Sequence, residues 1–355
     1  MQVIAVADDL SGATETLAAL GLWGSRVWLS TTNPKALLNE IKDHQNMVID
    51  SNCRQVGPER ARLQLKEISN VLTNLPKGSV VFRKVDSLLR GNLAQIVEEA
   101  QQHGPVIVAV ANPETGRTAA GGVVYVNNTP LDQTGLWEIE TSKPWSSIAE
   151  ALVPSSSRVI SIEMVRSGKA NLVQVLTEAS NAGAVSICDS QTEEDLDLVA
   201  EAAMAIEKAQ LVGTAGLARA IAKRIKLQTL PQEIPKLSTD EISVLVGSAA
   251  QASERQIEKL SGMKATTFKL NDEKSTFPSL MEIGKSSLVL TGGETARRVL
   301  ETLDVNWIKP FSEIENGVVA SQTNDGRVVV IKPGSYGDDL ALVRAVNFIS
   351  ELPTE

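Results

Sequence analysis

Two adjacent carboxylates, Asp8 and Asp9, follow directly on the apolar run Val3-Ile4-Ala5-Val6-Ala7 and precede the small-residue stretch Leu10-Ser11-Gly12-Ala13-Thr14. Such a run reads as a buried strand, and the spacing of Leu17, Ala18 and Leu20 predicts a helix from Thr14 to Leu22. In an open α/β sheet the turn after a strand lies at the carboxyl edge, where ligands bind. Carboxylates there can hold a hydroxyl or take its proton, and Asp9 or Ser11 can also cap the helix by accepting backbone N–H bonds. One residue can do both. Two basic loops fall at the same predicted edge: Ser51-Asn52-Cys53-Arg54, and Arg83-Lys84-Val85-Asp86-Ser87-Leu88-Leu89-Arg90-Gly91-Asn92. Arginine grips a carboxylate through two parallel N–H bonds and aspartate accepts from hydroxyls, so this mixture suits a small, hydroxylated, anionic ligand. The same residues read equally as an ion-pair network between neighbouring loops.

Three further turns share another chemistry. Val244-Leu245-Val246-Gly247-Ser248, Leu288-Val289-Leu290-Thr291-Gly292-Gly293-Glu294-Thr295 and Val330-Ile331-Lys332-Pro333-Gly334-Ser335-Tyr336-Gly337 each run from an apolar strand through glycine or small residues into a helix start. Glycine lets backbone N–H groups approach an anion closely, and the helix dipole favours phosphate at that end. Any one of them is also an ordinary tight turn. Three in one small domain point to nucleotide phosphates. None has the spacing of a Walker A loop or of a G-x-G-x-x-G fingerprint.

The elements that must position these residues alternate almost throughout. Strands are predicted at Val27 to Ser30, Met47 to Ser51, Val80 to Val85, Val106 to Ala111, Val159 to Ile162, Ala184 to Cys188 and Leu211 to Val212. Helices are predicted at Pro34 to Ile41, Pro58 to Leu72, Asn92 to Gln102, Ala170 to Asn181, Glu193 to Ala209 and Leu217 to Ile225. Asn112 to Thr134 breaks this rhythm as a long irregular excursion with a hairpin, and loops of that length are often functional. Pro231 and Pro235 among polar residues mark residues 227–241 as a linker. Beyond it, strands at Ile242 to Val246, Thr266 to Leu270, Leu288 to Thr291, Val318 to Ala320 and Val328 to Ile331 make a second, smaller domain. The expectation is an α/β protein: two α/β domains, 1–226 and 242–355, with mainly parallel sheets and an interdomain cleft.

A chain of 355 residues with a 43% hydrophobic share can fill two cores. A formal net charge of −9 and a pI near 5.1 argue against general nucleic-acid or membrane-surface binding, so any anionic ligand must meet local basic groups. Two cysteines, Cys53 and Cys188, no signal-like start and no apolar run of membrane-spanning length suggest a cytoplasmic protein with reduced thiols. His44 and His103, the only histidines, sit in polar segments, which speaks against a histidine-based nucleophilic triad; no Cys/His spacing resembles a zinc site.

Ala7-Asp8-Asp9-Leu10-Ser11-Gly12-Ala13, Lys84 to Asn92, Gly213-Thr214-Ala215-Gly216-Leu217-Ala218, Gly292 to Thr295 and Lys332 to Gly337 together resemble the ordered motifs of the four-carbon acid sugar kinase family. The resemblance covers nearly the whole chain. It implies an N-terminal sugar-acid-binding domain, a C-terminal ATP-binding domain, and Mg²⁺-assisted phosphorylation of the terminal hydroxyl of threonate, erythronate or 3-oxo-tetronate. Carried over by position, Asp9, Arg54, Lys84, Val85, Asp86 and Ser87 would contact substrate, with Arg90 beside them. Ser248, Gly292, Gly293, Glu294, Thr295 and Gly337 would contact ATP, with Gly334 in the same turn. Ser11 and Leu88 stand where the family usually has Thr, and Ala249-Ala250 where it often has Cys-Ser, which leaves substrate identity open. Among the carboxylates, Asp86 is the expected proton acceptor ahead of Asp9, because Lys84 and Arg90 flank it and keep it ionised. A non-catalytic two-lobed sugar-acid sensor is the competing reading, and only the kinase needs a triphosphate site. Metal ligands and oligomeric state, a homo-oligomer included, stay open.

Overall fold

The computed structural model describes residues 2–29, 34–43, 46–73, 75–137, 140, 143–225, 233–247, 251–270, 280–334 and 336–354. In chain order its strands are β1 (Val3–Ala7), β2 (Arg26–Trp28), β3 (Asn46–Asp50), β4 (Val80–Lys84), β5 (Val106–Ala109) and β6 (Arg117–Ala120). Then come β7 (Val123–Val126), β8 (Thr129–Pro130), β9 (Ser157–Ile160), β10 (Val185–Cys188), β11 (Gln210–Gly213) and β12 (Ile242–Val246). The series closes with β13 (Thr266–Lys269), β14 (Ser287–Thr291), β15 (Trp307–Glu315), β16 (Val318–Thr323) and β17 (Val328–Lys332). Two compact units interleave in sequence. The first comprises Met1–Asp8, Pro34–Gln45 and Cys53–Leu227, and the second Asp9–Asn33, Asn46–Asn52 and Gln228–Glu355.

In the first unit the strands run β1-β4-β11-β5-β10-β9, every pairing parallel. Helices cover such a sheet on both faces, which is why β1, β5, β10 and β11 are buried along their whole length. The predicted excursion is a three-stranded antiparallel sheet, β6-β7-β8, whose β6–β7 turn is anchored where Gly121 N and Gly122 N donate to the Asp189 carboxylate at 2.7 and 2.9 Å. Gly213 and Gly216 serve packing. A Cβ on Gly213 would lie 2.7 Å from Leu217 Cδ2, and one on Gly216 would lie 2.8 Å from the Ala111 carbonyl, so these glycines let the helix Ala215–Ala222 close onto its sheet.

The second unit is mixed. β13-β12-β14-β17 are parallel, β16 and β15 follow antiparallel, β2 pairs antiparallel with β15, and β3 runs parallel to β2. Pairing with β15 is what builds β2, and with it residues 9–33, into this unit. Sequence reasoning missed β15 altogether, because Pro310 cannot donate to a ladder and two register shifts break the alternation. The Asn316-Gly317 turn joining β15 to β16, with Gly317 at φ +75°, was the available signal. Element boundaries also change. Ile162 starts a short helix, Ile162–Val165, rather than ending a strand, and the helix from Glu193 stops at Ala203, short of Ala209.

Beneath the predicted ligand edge of this unit lies a buried ion pair. Arg297, on the helix Gly293–Thr302, donates from one terminal nitrogen to Asp50 Oδ2 and from Nε to Glu301, both at 2.7 Å. Complete burial pushes the Asp50 carboxyl up to about 6 despite the Arg297 charge and hydrogen bond and the Asn52 N–H, with the Asp9 charge adding to the rise. Arg297→Met would leave Asp50 as an uncompensated buried carboxylate, a loss of about 3–5 kcal/mol at pH 8. The native carboxyl would then hold its proton more tightly than the unfolded one, so stability rises as pH falls and the deficit shrinks at pH 5. Urea unfolding at both pH values checks this, and an equal deficit at both would contradict it.

Candidate active site

In the second unit β12, β14 and β17 are adjacent and parallel, so their carboxyl ends lie side by side at one sheet edge. Ser248 and Ser335 fall outside the described residues. Gly292 adopts φ +89° at the N-cap of the helix Gly293–Thr302 and offers no side chain to cap it. Its own N–H donates to Lys332 O at 2.9 Å, joining the second turn to the third. The first amide satisfied within the helix is that of Ala296, which donates to Gly292 O. Among the described residues, the N–H groups of Gly293, Glu294 and Thr295 therefore meet no acceptor. Three convergent amides at a helix start form an anion site of the type that holds phosphate. Gly247 carries no side chain because Thr295 fills the space its Cβ would need.

Asp9 borders this turn. A Cβ on Gly293 would overlap Asp9 Oδ2 and lie 3.0 Å from Ser11 Oγ. Asp9 also caps the helix Leu10–Ala19, four residues earlier than the predicted start, with Oδ1 accepting from Gly12 N at 2.8 Å and Oδ2 from Ser11 Oγ at 2.7 Å. The capping role and the position at the ligand edge thus belong to one carboxylate. Tyr336 Oη donates to Glu15 Oε1 at 3.3 Å, tying the third turn to the same helix.

The first unit gathers the basic residues. Arg54 donates from Nε and a terminal nitrogen to the two Asp8 oxygens at 2.8 and 2.7 Å, and its backbone N donates to Asp8 O. Asn92 Nδ2 holds the loop by donating to Cys53 O at 2.6 Å and Val56 O at 2.9 Å, while Gly91, at φ +82°, lets the next loop pass against Arg54. Lys84 ends β4 and is buried. Arg90 makes the same two-pronged contact with Asp86, both bonds 2.8 Å, and Asp86 Oδ2 also accepts from Leu88 N and Arg90 N. Trp137 Nε1 pins this loop through Leu88 O at 2.9 Å. Arg117, at the start of β6, donates to Ser87 Oγ.

Burial alone would raise the Asp86 carboxyl, but the charge and hydrogen bonds of Arg90, then the charges of Arg54 and Arg117, hold it well below the usual carboxylate range. An acid this strong, with both oxygens engaged, is poorly matched to accepting a proton near neutrality. The geometry thus favours the ion-pair role for Asp86 over the base role expected from its flanking charges. Within the first unit the fold brings Arg54, Asp86, Ser87 and Arg90 together and adds Arg117, which no motif had marked; the only hint was the irregular excursion that carries it. Asp8, read as a ligand-edge carboxylate, is the partner of Arg54.

No helix among the described residues is long and apolar enough to cross a membrane. The family model described as "Sugar-binding N-terminal domain" matches residues 3–221, and that described as "Nucleotide-binding C-terminal domain" matches residues 274–342. The chain is 27% identical to a D-threonate kinase of Cupriavidus necator, with 99% of each chain covered. It is 22% identical to a 3-oxo-tetronate kinase of Pseudomonas fluorescens, covering 94% of this chain and 93% of that one. A crystal structure of a Haemophilus influenzae protein shares the fold with a TM-score of 0.70 at 16% identity, over 98% of this chain and 100% of the other.

The Asp86 assignment predicts an acid response. Its native carboxyl is stronger than the unfolded one, so on acidification the unfolded chain takes up the proton first, and stability present at neutral pH is lost as pH falls below about 4. Asp86→Asn should lower the thermal midpoint at pH 7 and flatten its decline between pH 5 and 3. Parallel declines in wild type and variant would contradict the assignment.

Proposed function

This chain belongs to the four-carbon acid sugar kinase family, and we propose that it transfers the γ-phosphoryl group of ATP to the terminal hydroxyl of a four-carbon sugar acid. The observation that most supports this reading is the approach of the Asp9 carboxylate to Gly293, the first residue of a helix whose leading amides are open to an anion. A phosphoryl-transfer site needs its proton acceptor and its phosphate cradle within a few ångströms of each other, and little other covalent chemistry from the protein. In this reading the hydroxyl oxygen attacks the γ-phosphorus as the bond to the bridging oxygen of ADP breaks, and the hydroxyl proton passes to Asp9. Arg54 and Lys84 neutralise the sugar-acid carboxylate, Val85 and Ser87 line the same loop, and Asp86 fixes Arg90. Sugar-acid binding is assigned to residues 1–226 and nucleotide binding to residues 242–355, with 227–241 as the link.

Gly292 to Thr295, Gly334 and Gly337 would hold the phosphates, and Ser248 remains a proposed nucleotide contact. No cluster of three or more His, Cys, Asp or Glu side chains able to cage a metal occurs among the described residues. Mg²⁺ would be carried by the triphosphate and water, with Glu294 the carboxylate at the turn to complete its shell. When bound, it neutralises charge on the β- and γ-phosphates. Use of ATP favours the cytoplasm as the compartment.

The test is ATP consumption against a panel of threonate, erythronate and 3-oxo-tetronate. At least one acid should be turned over, and ATP-dependent turnover of none would overturn the proposal. Asp9→Asn should lower kcat about 100-fold or more with a smaller change in substrate affinity. Arg54→Ala should raise KM for the acid at little change in KM for ATP. Gly293→Val should displace Asp9 and close the cradle, so that calorimetric ATP affinity falls much more than sugar-acid affinity. Unchanged ATP affinity in folded Gly293→Val protein would remove the second turn from the nucleotide site.

A further inference from the structure

We infer that Lys332 and Gln256 are positioning residues of the nucleotide site, drawing the carbonyls of Pro333, Gly334, Tyr336, Gly337 and Asp338 inward so that the amides of Gly334, Gly337 and Asp338 face the phosphates; the inference rests on the kinase reading. Lys332 ends β17 and is completely buried. Its ammonium donates to Pro333 O at 2.9 Å, Gly334 O at 3.3 Å and Tyr336 O at 2.8 Å. An ammonium has three donors, and here three main-chain carbonyls of one short loop receive them. Gln256, equally buried on the helix Gln251–Glu258, donates from Nε2 to Asp338 O at 2.8 Å, with longer contacts to Gly337 O at 3.3 Å and Tyr336 O at 3.4 Å. Two side chains from different elements thus collect five carbonyls.

Burying a lysine away from water is costly, and burial lowers the Lys332 ammonium to about 8 against the opposing charge of Glu315. The orientation it enforces is informative. In a planar trans peptide the C=O and the following N–H point in opposite directions. Carbonyls of Pro333, Tyr336 and Gly337 turned inward therefore send the N–H groups of Gly334, Gly337 and Asp338 outward, and among the described residues these three amides meet no acceptor. Gly337 has φ +81°, and a Cβ there would lie 2.6 Å from Glu315 Oε1, so only glycine completes the turn. Successive outward amides form an anion-binding concavity. The bond from Gly292 N to Lys332 O places it next to the open start of the helix Gly293–Thr302.

The experiment compares wild type, Lys332→Met and Gln256→Leu by calorimetry with ATP and with the sugar acid, and by steady-state kinetics, after circular dichroism confirms folding. Expected is a loss of ATP affinity of about 10- to 100-fold in Lys332→Met and about 10-fold in Gln256→Leu. KM for ATP should rise in parallel, while KM and affinity for the sugar acid stay within about twofold. Gln256→Leu keeps the test decisive if Lys332→Met does not fold. ATP bound as tightly by folded Gln256→Leu as by wild type, or losses of equal size for both ligands, would overturn the inference and leave the kinase reading standing. Wild-type protein that binds the sugar acid but not ATP would overturn the kinase reading and this inference with it.

Discussion

The candidate site depends on one constraint, that among the described residues the backbone amides of Gly293, Glu294 and Thr295 at the edge of the second unit stay without internal acceptors. A folding chain normally satisfies such groups, and this sequence has the means. Ser147, Thr192 and Thr214 each accept an amide at the start of a helix, and Thr192 with Asp195 forms a reciprocal pair. At Gly292 the side chain that would do this is missing, and at Gly247, Gly293 and Gly337 a side chain is excluded by a neighbour already in place. Open amides cost stability unless water or a ligand takes them. Glycine here is as much a matter of access as of backbone angle.

Electrostatics works on the same principle in the first unit. The protein is acidic overall, so a site for an anion has to be assembled against the net charge. Arg54 and Arg90 are each gripped by a buried aspartate through two parallel bonds, which fixes the guanidinium plane before any ligand arrives. Side-chain entropy that binding would otherwise have to remove is already gone. Removing a paired aspartate would release the arginine as well as change its charge. In the proposed site, Asp8 and Asp86 would hold the two arginines in place.

Much of this was legible in the sequence because α/β strands buried on both faces are continuous apolar runs and their turns are glycine-marked. β1, β4, β12 and β14 lie within a residue or two of where their runs place them. The three turns were recognisable for the same reason, and their adjacency followed once β12, β14 and β17 proved to be neighbours. What periodicity could not show is pairing. β15 hides behind Pro310 and its register shifts, and through β15 the early residues 9–33 join the second unit. Nor does charge order along a loop reveal which carboxylate ends inside an ion pair. The flanking charges of Lys84 and Arg90 favour Asp86 as the base in sequence, but the two-pronged bond from Arg90 is visible only in the fold.

The neighbouring aspartates Asp8 and Asp9 also differ in what they meet. Successive side chains leaving a strand point to opposite sides. Asp8, completing the first unit's segment, turns to Arg54, while Asp9, opening the second, turns to Gly12 N and the edge of Gly293. The first is paired with the Arg54 guanidinium through two bonds. The second accepts the Ser11 hydroxyl and the Gly12 amide at a helix start. In the proposed reaction it is this carboxylate, at the edge of Gly293, that would take the hydroxyl proton.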